Sequence, residues 1–185
     1  MSHLSRRFAL QVTAAAAISA VPLSRALSQT APPMQDALSM MTSDARFSDW
    51  VQLLEYTGLA QYAAGDQPFT AFIPTNKAFS KYPQVLAEVL RPRTRAFPDT
   101  TLQVQFVRSH VVLDIHPLTQ VEGAPVALTS IAGNSIVIRP QQAGVYDVRW
   151  TSINSMLASA IISGSPIRAS NAIIYPYDDV TLISA

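Results

Sequence analysis

The chain has 185 residues, 49% of them hydrophobic, and no Cys, which excludes disulfide scaffolds and thiolate metal sites and suits one domain with a real core. With the N-terminal targeting segment set aside, Arg6, Arg7 and Arg25 are lost and no acid is, leaving ten basic side chains against twelve acidic ones, a net charge of −2. So weak a basic content argues against nucleic acid as a partner, because phosphate binding depends on clustered Lys and Arg.

Residues 1–28 are expected to be an export signal. Ser5-Arg6-Arg7 precedes an apolar run from Phe8 to Leu23, broken among polar residues by Gln11, Thr13 and Ser19; it is weaker than the roughly 20 strongly apolar residues of a membrane span. Ala26 and Ser28 place small residues three and one positions before an expected cut after Ser28. Ser5-Arg6-Arg7-Phe8-Ala9-Leu10-Gln11 resembles the twin-arginine signal of bacteria. It departs from that pattern at Ala9 and Gln11, so the general secretory route is the alternative. Either route exports the chain, to the periplasm or beyond. No Cys follows the signal to carry a lipid, and the tail from Thr181 to Ala185 is too short to span a membrane, so no stable span is expected in the mature chain.

Residues 29–33, Gln-Thr-Ala-Pro-Pro, are expected to form a short disordered leader, since neither Pro can donate a backbone hydrogen bond. The domain is expected to cover 34–185. Ala37, Leu38 and Met41, then Phe47, Trp50, Val51, Leu53 and Leu54, recur every three or four residues and predict two amphipathic helices. Ser43-Asp44 is the expected cap between them and Gly58 the expected stop. After the turn residues Gly65-Asp66-Gln67-Pro68, Phe69 to Ile73 predicts a strand that Pro74 ends. Thr75-Asn76 caps a short helix through Ala78 and Phe79, closed by Tyr82-Pro83. A further helix is expected from the cap Asp99 through Leu102, Phe106 and Val107, leading into Val111-Val112-Leu113.

Beyond this point, Val126–Leu128, Ser135–Ile138, Val145–Trp150, Met156–Ile162 and Ala172–Tyr177 are short β-prone runs separated by Gly, Pro and Asn, the pattern of antiparallel hairpins. The expected class is α+β: N-terminal helices packed against a compact antiparallel sandwich or wedge.

Three segments carry a family resemblance. Phe69-Thr70-Ala71-Phe72-Ile73-Pro74-Thr75-Asn76-Lys77-Ala78-Phe79 resembles the Thr-Val-Phe-Ala-Pro-Thr-Asn-Glu-Ala-Phe pattern of fasciclin-type domains. Arg108-Ser109-His110-Val111-Val112 is similar to that family's Arg-Tyr-His-Val-Val element. The stretch from Ala169 to Leu182, with Ser170, Asn171 and Asp178, resembles its closing strand pair. The resemblance implies that Thr70, Phe72, Pro74, Thr75, Asn76, Ala78, Phe79, His110, Val111, Val112, Ser170, Asn171 and Asp178 are structural. It further implies a non-enzymatic adhesion or interaction module contacting a protein or glycan outside the membrane. Ser109 stands where the family has Tyr beside the His, a pair linked to adhesion in animal members. Leu113-Asp114 replaces a Pro-Gly turn, Ala172 a Gly, and Tyr175 a His.

His110, Asp114 and His116 form the one cluster with metal-ligand potential, Asp114 and His116 sharing a face if the strand continues. The competing reading makes His110 a hydrogen-bonded core residue and ends the strand by Pro117; no metal and no cofactor is expected. There is no Gly-x-Ser-x-Gly elbow and no Gly-rich phosphate loop with Lys, so no catalytic residue is assigned. Asp178 and Asp179 would point to opposite faces of a strand and so cannot act as an acid and base pair. Arg91, Arg93 and Arg95 bring three guanidinium groups within five residues, a surface for acidic glycans or lipid headgroups, or simply a solvated loop. The alternative function is a carrier holding a small apolar, lipid-like ligand between helices and sheets.

Overall fold

The first helix of the domain and the 3-10 turn after it each begin where an Asp side chain meets an open backbone amide. The computed structural model describes residues 34–81, 101–121, 123–153, 156–179 and 181–184, all within the unit Pro33–Ala185. The export signal with Arg6 and Arg7, the leader, the Tyr82-Pro83 stop, the Arg91, Arg93 and Arg95 loop and the Asp99 cap lie outside the described residues. Helix α1 (Ala37–Ser43) starts at Asp36, whose carboxylate accepts from the Ser39 amide at 2.8 Å. Asp44 accepts from the Arg46 amide at 3.0 Å and opens a 3-10 turn, Ala45–Phe47, that runs directly into α2 (Ser48–Thr57). The cap expected at Ser43-Asp44 therefore acts one turn before the α-helix proper. Gly58 ends α2 at φ 71, a left-handed conformation that costs a residue with Cβ. Helix α3 (Ala60–Ala63) follows at once.

Strand β1 (Phe69–Pro74) is buried at all six positions. A strand covered on both faces must pair on both edges, because unpaired backbone groups are costly away from water. Antiparallel β2 (Val111–Leu113) supplies one edge and β8 (Ala172–Tyr177) the other, with Phe69 opposite Ala172 and Pro74 opposite Tyr177. The β1–β8 pairing is parallel, which corrects the expectation of an antiparallel arrangement at this place. Parallel neighbours need a long crossover, and here residues 75–171 provide it. With β7 (Ile167–Arg168) the first sheet has the order β2-β1-β8-β7.

The second sheet is antiparallel in the order β3-β4-β5-β6-β9, from β3 (Val126–Thr129), β4 (Ser135–Gln142), β5 (Val145–Ile153), β6 (Met156–Ile162) and β9 (Thr181–Ser184). β4 and β5 run further than their β-prone cores predicted. β8 and β9, read as a closing pair, belong to different sheets; β9 pairs with β6. The class is α+β, and the core joins Trp50, Leu53 and Phe47 from the helices to Phe72 and Ile73 of β1 and Ile136, Ile138, Val148 and Trp150 of the second sheet. Helix α5 (Thr101–Ser109) adds Phe106 and Val107.

Two asparagines join the pieces. Asn76 accepts from the Asp49 amide at the start of α2 at 3.0 Å and donates to the Ala45 carbonyl at 2.9 Å. Asn171, just before β8, accepts from the Ala37 amide at 2.9 Å and donates to the carbonyls of Ala63 (3.0 Å) and Gly65. Beside it the exposed Ser170 donates its amide to Gln35 at 2.9 Å. At the other end of β1, Thr75 caps helix α4 (Asn76–Phe79) and its hydroxyl donates to Asp178 at 2.8 Å. Ala78 and Phe79 turn into the core.

The turn after β2 is organised by a buried hydroxyl. Thr70 donates to the Asp114 carbonyl at 2.9 Å and accepts from the His116 amide at 2.8 Å. Asp114 has φ 66, left-handed for a non-glycine residue. Asn171→Ala, which leaves two buried backbone groups and a part-buried one without this partner, is expected to lower unfolding stability by about 3 kcal/mol in urea titrations. Asp114→Gly relieves the left-handed conformation and is expected to raise it by up to about 1 kcal/mol on the same measurement.

Candidate functional site

Chemistry-bearing side chains gather at two places, a sealed aromatic cluster around His110 and an apolar cavity beside it. His110 leaves the end of α5 with its carbonyl accepting from the Phe72 amide at 3.0 Å, so its position is fixed by β1. Its ring lies 4.4 Å from Phe106, 5.1 Å from Trp150, 5.6 Å from Trp50 and 6.2 Å from Tyr177, centroid to centroid. Nδ1 is 2.7 Å from the Phe106 carbonyl oxygen, which can only accept, so Nδ1 carries the proton. Nε2 then accepts from the Tyr177 hydroxyl at 3.0 Å. Ser109 is fully buried, and its hydroxyl donates to the same Phe106 oxygen at 2.7 Å.

Burial pushes the His110 pKa down to about 4, opposed in part by the bond to the Phe106 carbonyl. The imidazole is thus neutral near pH 7 and, at 2% exposure, has no surface to offer a substrate or partner. Ser109 and His110 thus present neither side chain to solvent.

The three candidate metal ligands do not converge. β2 ends at Leu113, so Asp114 and His116 do not share a strand face; Asp114 turns away at φ 66, and His116 Nε2 is 2.9 Å from the Leu113 carbonyl. Among the described residues no three His, Asp or Glu side chains form a metal-holding group. Asp178 and Asp179 also lie past the end of β8 rather than on it. Each makes an exposed ion pair, with Lys77 at 3.5 Å and Lys81 at 2.8 Å, contacts worth little in water.

The cavity opens between α2, α3, β1, β2 and α5 and encloses about 270 Å³. Leu54, Leu59, Phe69, Val107, Val111 and Ile131 are among its walls. Tyr62 and Leu113, 66% and 54% exposed, also line it, as does the exposed Arg108 from the last turn of α5. Of the motif residues, Val111 reaches this cavity, while Thr70, Phe72, Pro74, Thr75, Ala78, Phe79, Val112 and Asn171 are buried. Sequence reasoning expected a space between helices and sheets but named none of its walls. They come from separate elements, and Phe69, Ala71, Ile73, Arg108 and Val111 among them were singled out as parts of motifs rather than as walls.

The Fasciclin domain family model matches residues 45–183, and the chain belongs to this family. Its fold is similar to that of a FAS1 domain pair from the insect cell adhesion molecule Fasciclin I, with a TM-score of 0.58 and 20% identity over 80% of this chain. The chain spans about half of that structure's length, 50%. No curated protein matches it. No helix among the described residues is long and apolar enough to cross a membrane.

Between pH 6.5 and about 4 the unfolded state binds the proton that folded His110 refuses, so stability is full above this window and falls as the pH drops through it. The expected loss by pH 4 is about 3 kcal/mol, read from urea unfolding at a series of pH values, and His110→Gln should flatten that slope. Asp36 and Asp44, held below their ordinary 3.8 chiefly by the Ser39 amide and the Arg46 side chain, lose their contributions at lower pH, outside the window.

Proposed function

We propose that this chain is an exported, non-enzymatic adhesion or interaction module that contacts a protein or glycan partner in the periplasm or outside the cell. The observation that carries this reading is how the motif residues are used. His110 bonds to Phe106 and Tyr177, Asn76 to Asp49 and Ala45, Asn171 to Ala37 and Ala63, and Thr75 to Asp178. Their polar groups are spent on internal bonds, which leaves recognition to the exterior. Family membership supports the same reading, and the twin-arginine-like segment with Arg6 and Arg7 supports export. The dense charge of Arg91, Arg93 and Arg95 favours an acidic glycan as one class of partner.

Cell fractionation and an attachment assay test this together. Cells producing the full chain should release it from the cytoplasm, shortened after residue 28, and should attach to protein- or glycan-coated surfaces at least twofold more than cells lacking it. Replacing Arg91, Arg93 and Arg95 by Ala should reduce attachment to acidic glycans selectively. Uncleaved protein retained in the cytoplasm, or purified protein that turns over a substrate, would overturn the reading.

A further inference from the structure

We propose that the cavity bounded by α2, α3, β1, β2 and α5 binds an amphiphile of medium length with an anionic head, an acyl carboxylate, whose head is met by Arg108. This goes beyond the interaction-module reading, which places recognition on the exterior. Three observations converge on it. First, the lining is apolar, and among the described residues that line it Arg108 is the charged one. Glu55 of α2 and Asp66 after α3 are near in sequence but do not line it.

Second, the Arg108 guanidinium has no ion pair or hydrogen bond among the described residues. Among the described residues its charge is thus uncompensated, and the apolar walls beside it strengthen a pairing by limiting water. A planar guanidinium matches a carboxylate through two parallel N–H bonds, a fit that a neutral head cannot reproduce. Gln67, also exposed and on the lining, adds a neutral amide able to donate to the same head.

Third, of the large hydrophobic side chains left exposed among the described residues, Tyr62 and Leu113 both line this cavity. Apolar surface facing water is unfavourable, and a bound acyl chain would cover both. The volume of about 270 Å³ is at the small end of ligand clefts, which run from about 300 Å³ upward. It suits a single chain of medium length rather than a two-chain lipid.

Isothermal titration of the full chain tests the site, with dodecanoate and dodecyltrimethylammonium below their micelle concentrations and dodecanol below its solubility limit. The change in tryptophan fluorescence as Trp50, which lines the cavity, meets the alkyl chain provides a second readout. Dodecanoate is expected to saturate one site, with dodecanol about tenfold weaker and the cation weaker still. Arg108→Gln should weaken dodecanoate about tenfold and leave dodecanol unchanged. Ala63→Phe should fill the cavity and remove binding of all three probes. Since Ala63 is buried, Leu113→Asp at an exposed position serves as a variant that keeps the fold, checked by thermal unfolding, and should repel dodecanoate. Absence of saturable dodecanoate binding would overturn the site. Dodecanol binding as tight as dodecanoate, or affinity unmoved by both Arg108→Gln and Leu113→Asp, would overturn the anionic assignment.

Discussion

The parallel pairing of β1 with β8 is the constraint on which the other elements depend. β1 is buried along its whole length, so its amides must find partners inside the protein. They do so at Asn171 for Phe69, at His110 for Phe72 and at Tyr177 for Thr75. Two segments far apart in the chain, the one at His110 and the one from Asn171 to Tyr177, are thereby fixed to one strand. Asn171 at one end and the Thr75–Asp178 bond at the other hold the register, and Asn171, His110 and Tyr177 are all side-chain anchors as well as backbone acceptors. A shift by one residue would break both ends together.

His110 extends the same logic from backbone to side chains. Its ring touches α2 through Trp50, α5 through Phe106, the first sheet through Tyr177 and the second through Trp150. A phenylalanine could fill such a space, but it would leave the Tyr177 hydroxyl without its acceptor and the Phe106 carbonyl with Ser109 as its remaining side-chain donor. Neutral imidazole satisfies both, one nitrogen donating and the other accepting. The depressed pKa follows from this burial and makes the residue a structural element rather than a reagent.

Recognition must then use what the core leaves over. The exterior of a family scaffold carries the proposed partner contacts, while the cavity beside β1 lies among α2, α3, β2 and α5, with the exposed Tyr62 and Leu113 on its lining. These two features do not compete for the same side chains: Arg108 and Leu113 belong to the cavity, and the Arg91 to Arg95 segment is separate in sequence.

Local chemistry was legible from the residues themselves. Asp44, Gly58 and Thr75 marked helix boundaries because a cap depends on one side chain and the amides next to it. The strand from Phe69 to Ile73, the helix through Phe106 and the hairpins from Val126 to Ile162 were legible because periodicity and turns are properties of neighbouring residues. The α+β class and the family followed from the order of these segments. Partnership across the chain was not legible. That β1 pairs in parallel with β8, that β9 leaves β8 for β6, that Asn171 reaches the start of α1, and that Asp114 adopts a left-handed turn under Thr70 all depend on contacts between distant segments. The cavity is of the same kind, since its walls come from several elements whose apolar faces read as ordinary core. Sequence alone determined the main helices and strands and the capped helix ends, because those energies are local. Only the tertiary structure decided which faces were covered and which were left open, because burial is settled by the residues that finally meet.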